Sequence, residues 1–270
     1  FKERPVLIHA SAIKGYAIAA SDGEIGTVSD LLFDDVSWRV RWLVVETGTW
    51  LAGRKVLLPA STLGHADAIR REFTAKLTVQ QVKDSPNVDT ERPVSRQVES
   101  SIYGHYGWYP YWGYGLYTGS YGYGSVMGSP FFGPSSQPTE DEARETQRNR
   151  DDPHLRSIAA VEGYHIHATD GEIGHVEDML VEEADWSIRY LVVDTKNWWP
   201  GKRVLLSPRS AHEVSWTDRI IDINVNREAV RSSPGYDATT EVDRDYEQRF
   251  NSYYGNAAPG SSARARASDL

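Results

Sequence analysis

The sequence predicts a mainly β protein made of two small β-barrels, each with a short C-terminal helix, joined by a linker rich in glycine and aromatic residues. Three observations support this. The chain repeats itself at a spacing of 148 residues, each copy consists of short β-rich segments separated by turn signals, and a segment of different composition lies between the copies. The 270 residues are enough for two domains of ordinary size.

The repeat runs without a gap over a long stretch. Residues 12–58 align with residues 160–206, and 24 of these 47 positions are identical. A repeated unit of this length is a duplicated domain, because the units of solenoid proteins are shorter. The sequence therefore predicts four regions: a first barrel at 1–99, a linker at 100–153, a second barrel at 154–251 and a disordered tail at 252–270.

Each copy begins with a turn signal. Asp22 and Gly23 form the dipeptide that best suits a two-residue type I′ hairpin, and Gly26 is expected to allow a bulge or close packing in the next strand. The second copy carries the same residues as Asp170, Gly171 and Gly174. We interpret this set as part of the fold, because it recurs in both domains.

Later signals in each copy predict a buried strand, a short helix and an extension. The strand at 40–46 is dense in β-branched and aromatic residues, and Thr78 and Asn226 stand where the N-cap of a helix is expected. After each barrel, E-S-S-I-Y-G and Y-E-Q-R-F-N-S-Y-Y-G are expected to form amphipathic helical pieces that dock an aromatic side chain against the barrel.

Three motifs then carry a resemblance to a known family. In the second copy these are G-Y-x-I-x-A-x-D-G-E-I-G-x-V-x-D, W-x-I-R-Y-L-V-V-D-T and W-W-P-G-K-R-V-L-L-S-P. Together they resemble the PRC-barrel family, which includes the cytoplasmic domain of one photosynthetic reaction-centre subunit and a domain of a bacterial ribosome maturation factor. The resemblance covers 15–86 and 163–234. It implies two PRC-type β-barrels in a soluble tandem homologue of that reaction-centre domain.

Composition limits the classes of function. The chain has no cysteine, so disulfides and thiolate chemistry are excluded, and it has no apolar run of the roughly 20 residues that a membrane span needs. Its net charge of -9 argues against direct binding to nucleic acid. We therefore expect a cytoplasmic protein without a transmembrane segment, for which peripheral contact with a membrane remains open.

The linker is the strongest candidate for contact with other molecules. Residues 103–132 contain twelve aromatics and eight glycines, with no Lys, Arg, Asp or Glu. Three interpretations stay open: packing back onto the barrels or onto a second copy, self-association through stacked rings, and stacking of single-stranded nucleic acid. We expect a homo-oligomer, with Tyr109, Tyr111 and Trp112 at an interface.

Tryptophans in one hairpin loop of each barrel form a second candidate interface. Trp198 and Trp199 lie in a short loop before Lys202 and Arg203, an arrangement that resembles an interaction hot spot. The alternative is that Trp198 packs under its own barrel, as Trp50 would in the first copy. We expect Trp199 to make the contact.

Three histidines in the second copy offer a metal site. His165 and His167 lie two apart on a predicted strand, and His175 follows across the hairpin, so the three imidazoles could ligate zinc or nickel. The first copy has no histidine at these positions, and solvent-facing strand residues are the alternative interpretation. We expect no other cofactor.

The acidic residues of the second copy offer no recognisable catalytic or calcium motif. They do not have the spacing of an EF-hand loop, and no nucleophile motif accompanies them. Asp30 and Asp178 have apolar neighbours, so we expect them to bond to backbone or to pair with Arg41 or Arg189. The acidic set comprises Asp170, Glu172, Glu177, Asp178, Glu182 and Glu183.

The expected function is therefore protein binding without catalysis. The resemblance to the reaction-centre domain implies a scaffold associated with a membrane or a photosynthetic electron-transfer complex, whose protein partner the sequence does not identify. The resemblance to the maturation factor implies the alternative, a protein associated with ribosomes or RNA maturation. A metal- or ligand-binding stress protein is the third hypothesis.

Overall fold

The structure is a computed structural model that describes residues 7–51, 53–86, 94–108, 153–195, 202–237, 242 and 244–257. Two eight-stranded sheets contain all strands of this part of the chain. The prediction of a mainly β protein with two similar halves is confirmed. We call the halves the first and the second barrel.

The first barrel has a mostly antiparallel sheet. Its strands are β2 (Ala17–Ala20), β3 (Gly23–Asp34), β4 (Arg39–Glu46), β5 (Lys55–Pro59), β6 (Leu63–Asp67) and β7 (Glu72–Ala75). They are ordered β5-β4-β3-β2-β7-β6, and β2 and β7 run parallel. Strand β4 is the segment that the sequence predicts as a buried strand. Its side chains at 40 and 42–45 are buried, and Arg41 is half-buried.

The second barrel repeats this topology and adds a short strand at one edge. Its strands are β10 (His165–Ala168), β11 (Gly171–Glu182), β12 (Ile188–Asp194), β13 (Arg203–Leu206), β14 (Ala211–Ser215), β15 (Ile220–Ile223) and β16 (Gly235–Tyr236). They are ordered β14-β15-β10-β11-β12-β13-β16.

The first hairpin differs from the prediction in its turn. Ala20 pairs with Gly23, so the two loop residues are Ser21 and Asp22. The expected type I′ turn at Asp22 and Gly23 is wrong, because that turn needs a positive φ at both residues and neither has one. The second copy has its loop at the same place, formed by Thr169 and Asp170.

A short helix follows the last long strand of each barrel, as predicted. These helices are α2 (Val79–Lys83) and α5 (Arg227–Ser232). The Thr78 hydroxyl accepts the N–H of Gln81 in a capping box, and the Asn226 side chain accepts the N–H of Ala229. The predicted N-caps are confirmed.

The two barrels exchange their leading strands. Strand β1 (Leu7–His9) precedes the first barrel but pairs with β11 of the second. Strand β9 (Pro153–Ser157) precedes the second barrel but pairs with β3 of the first. Each leading strand runs into a one-turn helix, α1 (Ala10–Ile13) or α4 (Ile158–Val161). The sequence-based division assigns β1 to the first barrel and most of β9 to the second, so it misses this exchange.

Longer C-terminal helices cover one face of each barrel. They are α3 (Arg96–Tyr106) and α6 (Arg244–Ala257). Tyr103 of α3 is buried against Trp42, and Phe250 of α6 against Tyr190. The predicted docking of an aromatic against each barrel is confirmed, but the predicted boundaries at residues 100 and 252 fall inside these helices.

Candidate interaction surfaces

The exchanged strands are held by one aspartate in each barrel. Asp178 of β11 accepts a hydrogen bond from the Ser11 hydroxyl at 2.6 Å and lies 2.7 Å from His9 Nδ1. His9 Nε2 in turn lies 2.8 Å from the Tyr236 hydroxyl. Burial alone would raise the pKa of Asp178, but the bonds from His9, Ser11 and the Met179 N–H outweigh it and lower the pKa.

Asp30 is the counterpart of Asp178, and in the first barrel it binds the residues that lead into the second copy. It accepts the Ser157 hydroxyl and, at 3.2 Å, the N–H of Ala159. Both aspartates therefore bind the exchanged segment, which the sequence did not predict.

These aspartates also bond to the backbone of their own strand. The N–H groups of Leu31 and Met179 donate to Asp30 and Asp178, so the expectation of a bond to backbone is confirmed. Arg189 pairs with other carboxylates, those of Glu182 and Glu247.

Reciprocal backbone hydrogen bonds also join the barrels. The N–H of Val40 donates to the carbonyl of Trp186, and the N–H of Ile188 donates to the carbonyl of Trp38, both at 2.8 Å. Trp38 and Trp186 have φ values of 51° and 61° and are therefore left-handed, which is unusual for bulky residues. One continuous cluster of buried side chains runs through both barrels.

The connection between the barrels at 109–152, which we call the aromatic segment, starts from the first barrel. Helix α3 ends at Tyr106, whose ring stacks on Trp108 with 4.3 Å between centroids. Both side chains pack against the cluster formed by α3 and the face of the first sheet. His105 lies 3.0 Å from the carbonyl of Gln81, which ties the end of α3 to α2.

The segment returns to the same barrel. Glu99 of α3 is fully buried and accepts the Trp42 indole N–H at 2.6 Å. Its other oxygen lies 2.7 Å from Nε2 of His154, the first described side chain after the segment. Strand β9 also pairs with β8 (Val94–Ser95), just before α3. We call Trp42, Glu99, Tyr103 and His154 the segment-base cluster.

Glu99 also acts on its neighbour Tyr103. Burial raises the pKa of Tyr103, and the neighbouring Glu99 charge raises it further. The equivalent position in the second barrel is Glu247, which accepts the Tyr190 hydroxyl at 3.1 Å. In the described part of the chain, the hydrogen-bond and ion-pair partners of Glu247 are Tyr190 and Arg189. Among the described residues, a buried Glu–His pair therefore occurs only in the first barrel, where the aromatic segment is attached.

The turn residues hold helices and strands together. The Asp22 carboxylate accepts the N–H of Val79 at 2.8 Å, and Asp170 accepts the N–H of Arg227 at 2.7 Å, so each aspartate binds the first turn of a helix. Gly23 and Gly171 lead the following strands. These contacts give both aspartates a structural role in the fold.

Gly26 and Gly174 permit a close approach of two strands. A Cβ on Gly26 would lie 2.0 Å from the carbonyl oxygen of Glu46, and one on Gly174 would lie 2.0 Å from that of Asp194. A bulge lies beside Gly26, because Ile18 pairs with Gly26 and the next residue pairs with Glu24. The expectation for Gly26, a bulge or close packing in the next strand, is confirmed, since the structure shows both.

The three histidines of the second barrel do not form a metal centre. His165 and His175 face each other across β10 and β11, but His165 bonds to Glu172 at 2.8 Å and His167 lies 3.8 Å from Asp222. Within the described ranges, no three or more His, Cys, Asp or Glu residues are arranged to hold a metal ion.

The predicted interface residues lie mostly outside the described residues. This holds for Tyr109, Tyr111, Trp112, Trp198 and Trp199. Trp50 is 38% exposed, and its indole N–H donates to the carbonyl of Ile25 at 2.7 Å. Trp50 therefore lies at the surface with one edge fixed to its barrel.

The cations beside the predicted hot spot are already bound. Lys202 donates to the carbonyls of Arg231 and Ser233 at 2.6 and 2.8 Å, at the end of α5. Arg203 pairs with Glu177. In the first barrel Arg54 is the counterpart of Lys202, and it binds backbone carbonyls at the end of α2 in the same way. The lysine and its counterpart stabilise helix ends.

Comparison with protein families identifies the fold. The family model for the PRC-barrel domain matches residues 5–82 and again residues 156–230, which together are more than half of the chain. The chain belongs to the PRC-barrel family. The predicted tandem of PRC barrels is thereby confirmed, and membership supports a binding or scaffold module in general. The search of curated proteins returned no match.

The PRC-barrel assignment does not say whether the chain is inserted in a membrane. Among the described residues, no helix combines the length and the apolar character needed to cross a membrane.

The sequence did contain a signal for a leading strand in each copy, although not for its exchange. At the repeat spacing, Pro5 and Leu7 correspond to Pro153 and Leu155, so the second copy begins at residue 153 with its own leading strand. The same spacing places Glu99 opposite Glu247 and Tyr106 opposite Tyr254. The tetrapeptides S-I-Y-G at 101–104 and S-Y-Y-G at 252–255 also look alike, but they lie three residues out of this register.

Proposed function

We propose that this protein is a non-catalytic scaffold that binds a protein partner through the first barrel and the aromatic segment at 109–152. The observation that supports this most is the attachment of both ends of the segment to one barrel. Trp108 packs on the first barrel, and His154 bonds to Glu99 of the same barrel.

The segment is therefore not needed to space the two barrels. Exchanged strands and reciprocal backbone bonds already hold the barrels against each other. A segment with no spacing role still carries most of the twelve aromatics between residues 103 and 132. Aromatic side chains bury large apolar areas at low entropic cost, which favours a role in contact.

We propose the kind of complex to which the partner belongs by analogy with another member of the family. By analogy with the PRC domain of the photosynthetic reaction centre, the partner belongs to a membrane-associated or electron-transfer complex, and the contact is made from the cytoplasmic side. This analogy rests on the fold. Self-association through the same aromatics is part of the proposal, and the net charge of -9 favours a protein partner over a nucleic acid.

A pull-down with matched variants tests the proposal. The tagged chain is compared with a triple variant, Tyr109→Ser, Tyr111→Ser and Trp112→Ser, using detergent-solubilised membranes and a nuclease-treated cell extract. We expect proteins of one membrane complex to be recovered with the native chain and lost with the triple variant. Ile69→Ser is the control, because Ile69 is 97% exposed and lies outside the segment.

Two results would contradict the proposal. Equal recovery by the native chain and the triple variant would remove the segment from the contact. Nuclease-resistant recovery of ribosomal proteins would favour the ribosome-associated alternative instead.

A further inference from the structure

Each barrel carries a binding site for the leading strand of a PRC unit, and it fills that site with the strand of the other copy. Strand β1 lies on β11 with Leu7 opposite Glu182, and β9 lies on β3 with Leu155 opposite Asp34. The side-chain bonds at Asp178 and Asp30 repeat this reciprocity. The arrangement is that of a strand-exchanged dimer of two units within one chain. We call the surface between the two barrels the seam.

Nothing in these contacts requires the two units to belong to one chain. The 44 residues at 109–152 connect them, and the contacts across the seam are made by residues on either side of this connection. A random coil of this length spans on the order of 35–40 Å on average, and an extended chain spans far more. The connection is therefore long enough to reach a second molecule.

We propose that two copies of this chain exchange halves, so that the first barrel of each pairs with the second barrel of the other. The surface involved is the same seam that closes the monomer, and the partner is a second copy. This inference concerns the seam, whereas the proposed scaffold function concerns the aromatic segment.

Concentration decides between the closed monomer and the exchanged dimer. Linking two binding units by a short chain gives an effective concentration in the millimolar range, which favours closure in dilute solution. Passing from one form to the other requires the exchanged strands to separate, so each form should persist once it has folded. We therefore expect dimers after refolding at high concentration and slow reversal on dilution.

The ion pair between Lys14 and Glu162 gives a direct test on the native chain. Their side-chain atoms lie 2.7 Å apart across the seam, within reach of a zero-length carbodiimide cross-link. Equal amounts of ¹⁵N-labelled and unlabelled chain are unfolded together and refolded at about 1 mM. The dimer fraction is isolated, cross-linked and digested for mass spectrometry.

Exchange predicts that about half of the Lys14–Glu162 peptides in the dimer join a labelled to an unlabelled half, as random pairing of chains requires. Lys55 and Glu46 are the internal control, because this pair lies within the first barrel at 3.8 Å and its cross-linked peptides must stay unmixed. A dimer whose Lys14–Glu162 peptides are unmixed, or the absence of any dimer at this concentration, would overturn the proposal.

Discussion

Lys14 and Glu162 occupy the same position in the two copies of the repeat, 148 residues apart, and their side chains bond to each other at 2.7 Å. Two equivalent positions meet in this way only where an approximate two-fold axis passes between the copies. In a dimer of identical units this position would bring like charges together. The chain avoids that repulsion because the two copies differ in sign here.

Reversing the charge of either Lys14 or Glu162 should destabilise the protein, and reversing both should restore its stability. Lys14→Glu and Glu162→Lys each place like charges opposite one another, and we expect each to lower the free energy of unfolding by about 1 kcal/mol, since both side chains are partly exposed. The double variant should recover most of that loss. Urea unfolding at low and high salt measures it, and a double variant that loses the sum of both changes would contradict the pairing.

Gly26 should tolerate no side chain. In Gly26→Ala the new Cβ meets the carbonyl oxygen of Glu46, and we expect a loss of more than about 2 kcal/mol. Gly23→Ala is the matched control in the same hairpin: its Cβ would lie 3.3 Å from Cγ2 of Val79, a tight contact that a shift of a few tenths of an ångström relieves, so the change should stay within about 1 kcal/mol. Denaturant unfolding measures the free energy of unfolding of both variants. Equal losses of stability would contradict the close approach of the Glu46 carbonyl to Gly26.

Asp178 should make the seam sensitive to acid. Its pKa is lowered in the folded state, so its stabilisation is present above the unfolded pKa of about 3.9 and disappears as the pH falls through the folded pKa. We expect Asp178→Asn to be less stable than the native chain at neutral pH, by about 1–3 kcal/mol.

The difference between the two proteins should then shrink on acidification below about pH 4. Urea unfolding from neutral pH into this range measures it, with the exposed Glu213→Gln as control. A difference that stays constant with pH would show that the carboxylate charge is not what holds His9 and Ser11.

Cutting the aromatic segment should not separate the barrels. With a protease site placed at 109–152 and cleaved after folding, we expect the two fragments to co-elute on gel filtration, because the seam contacts do not depend on the connection. A denaturing gel confirms the cut. Fragments that elute apart under native conditions would mean that the segment itself holds the barrels together.

The two buried glutamates offer a matched comparison. Glu99→Gln leaves two donors, Trp42 and His154, facing an uncharged amide in a fully buried site, so we expect a loss of about 2–3 kcal/mol. Glu247→Gln affects an acceptor that is partly exposed and should cost less. Thermal unfolding followed by tryptophan fluorescence compares them, and equal losses would argue against a special role for the segment-base cluster.

The sequence predicted the local structure better than the way in which the copies meet. Hydrophobic runs, Thr78 and Asn226 mark strands and helix starts because these signals act within a few residues. The type I′ turn failed because Asp22 serves a helix 57 residues later, and its carboxylate is fixed by that contact. A dipeptide carries no information about such a partner.

The exchange depends on register across the whole chain. His9 reaches Asp178 over 169 residues and Tyr236 over 227, and neither spacing follows from the sequence around these residues. Glu99 was overlooked for the same reason, because Trp42 comes from β4 and its other partner from β9. Long-range pairing of this kind becomes visible only in three dimensions.

The exchanged strands also set an order of events during synthesis on the ribosome. The first barrel lacks β9 until residues 153–157 have been made, and β1 has no partner until β11 is complete at residue 182. At usual rates of translation, β1 must wait roughly 10–35 s with its backbone unpaired. Neither barrel can finish folding alone, so the nascent chain commits to its native structure late, as a single unit.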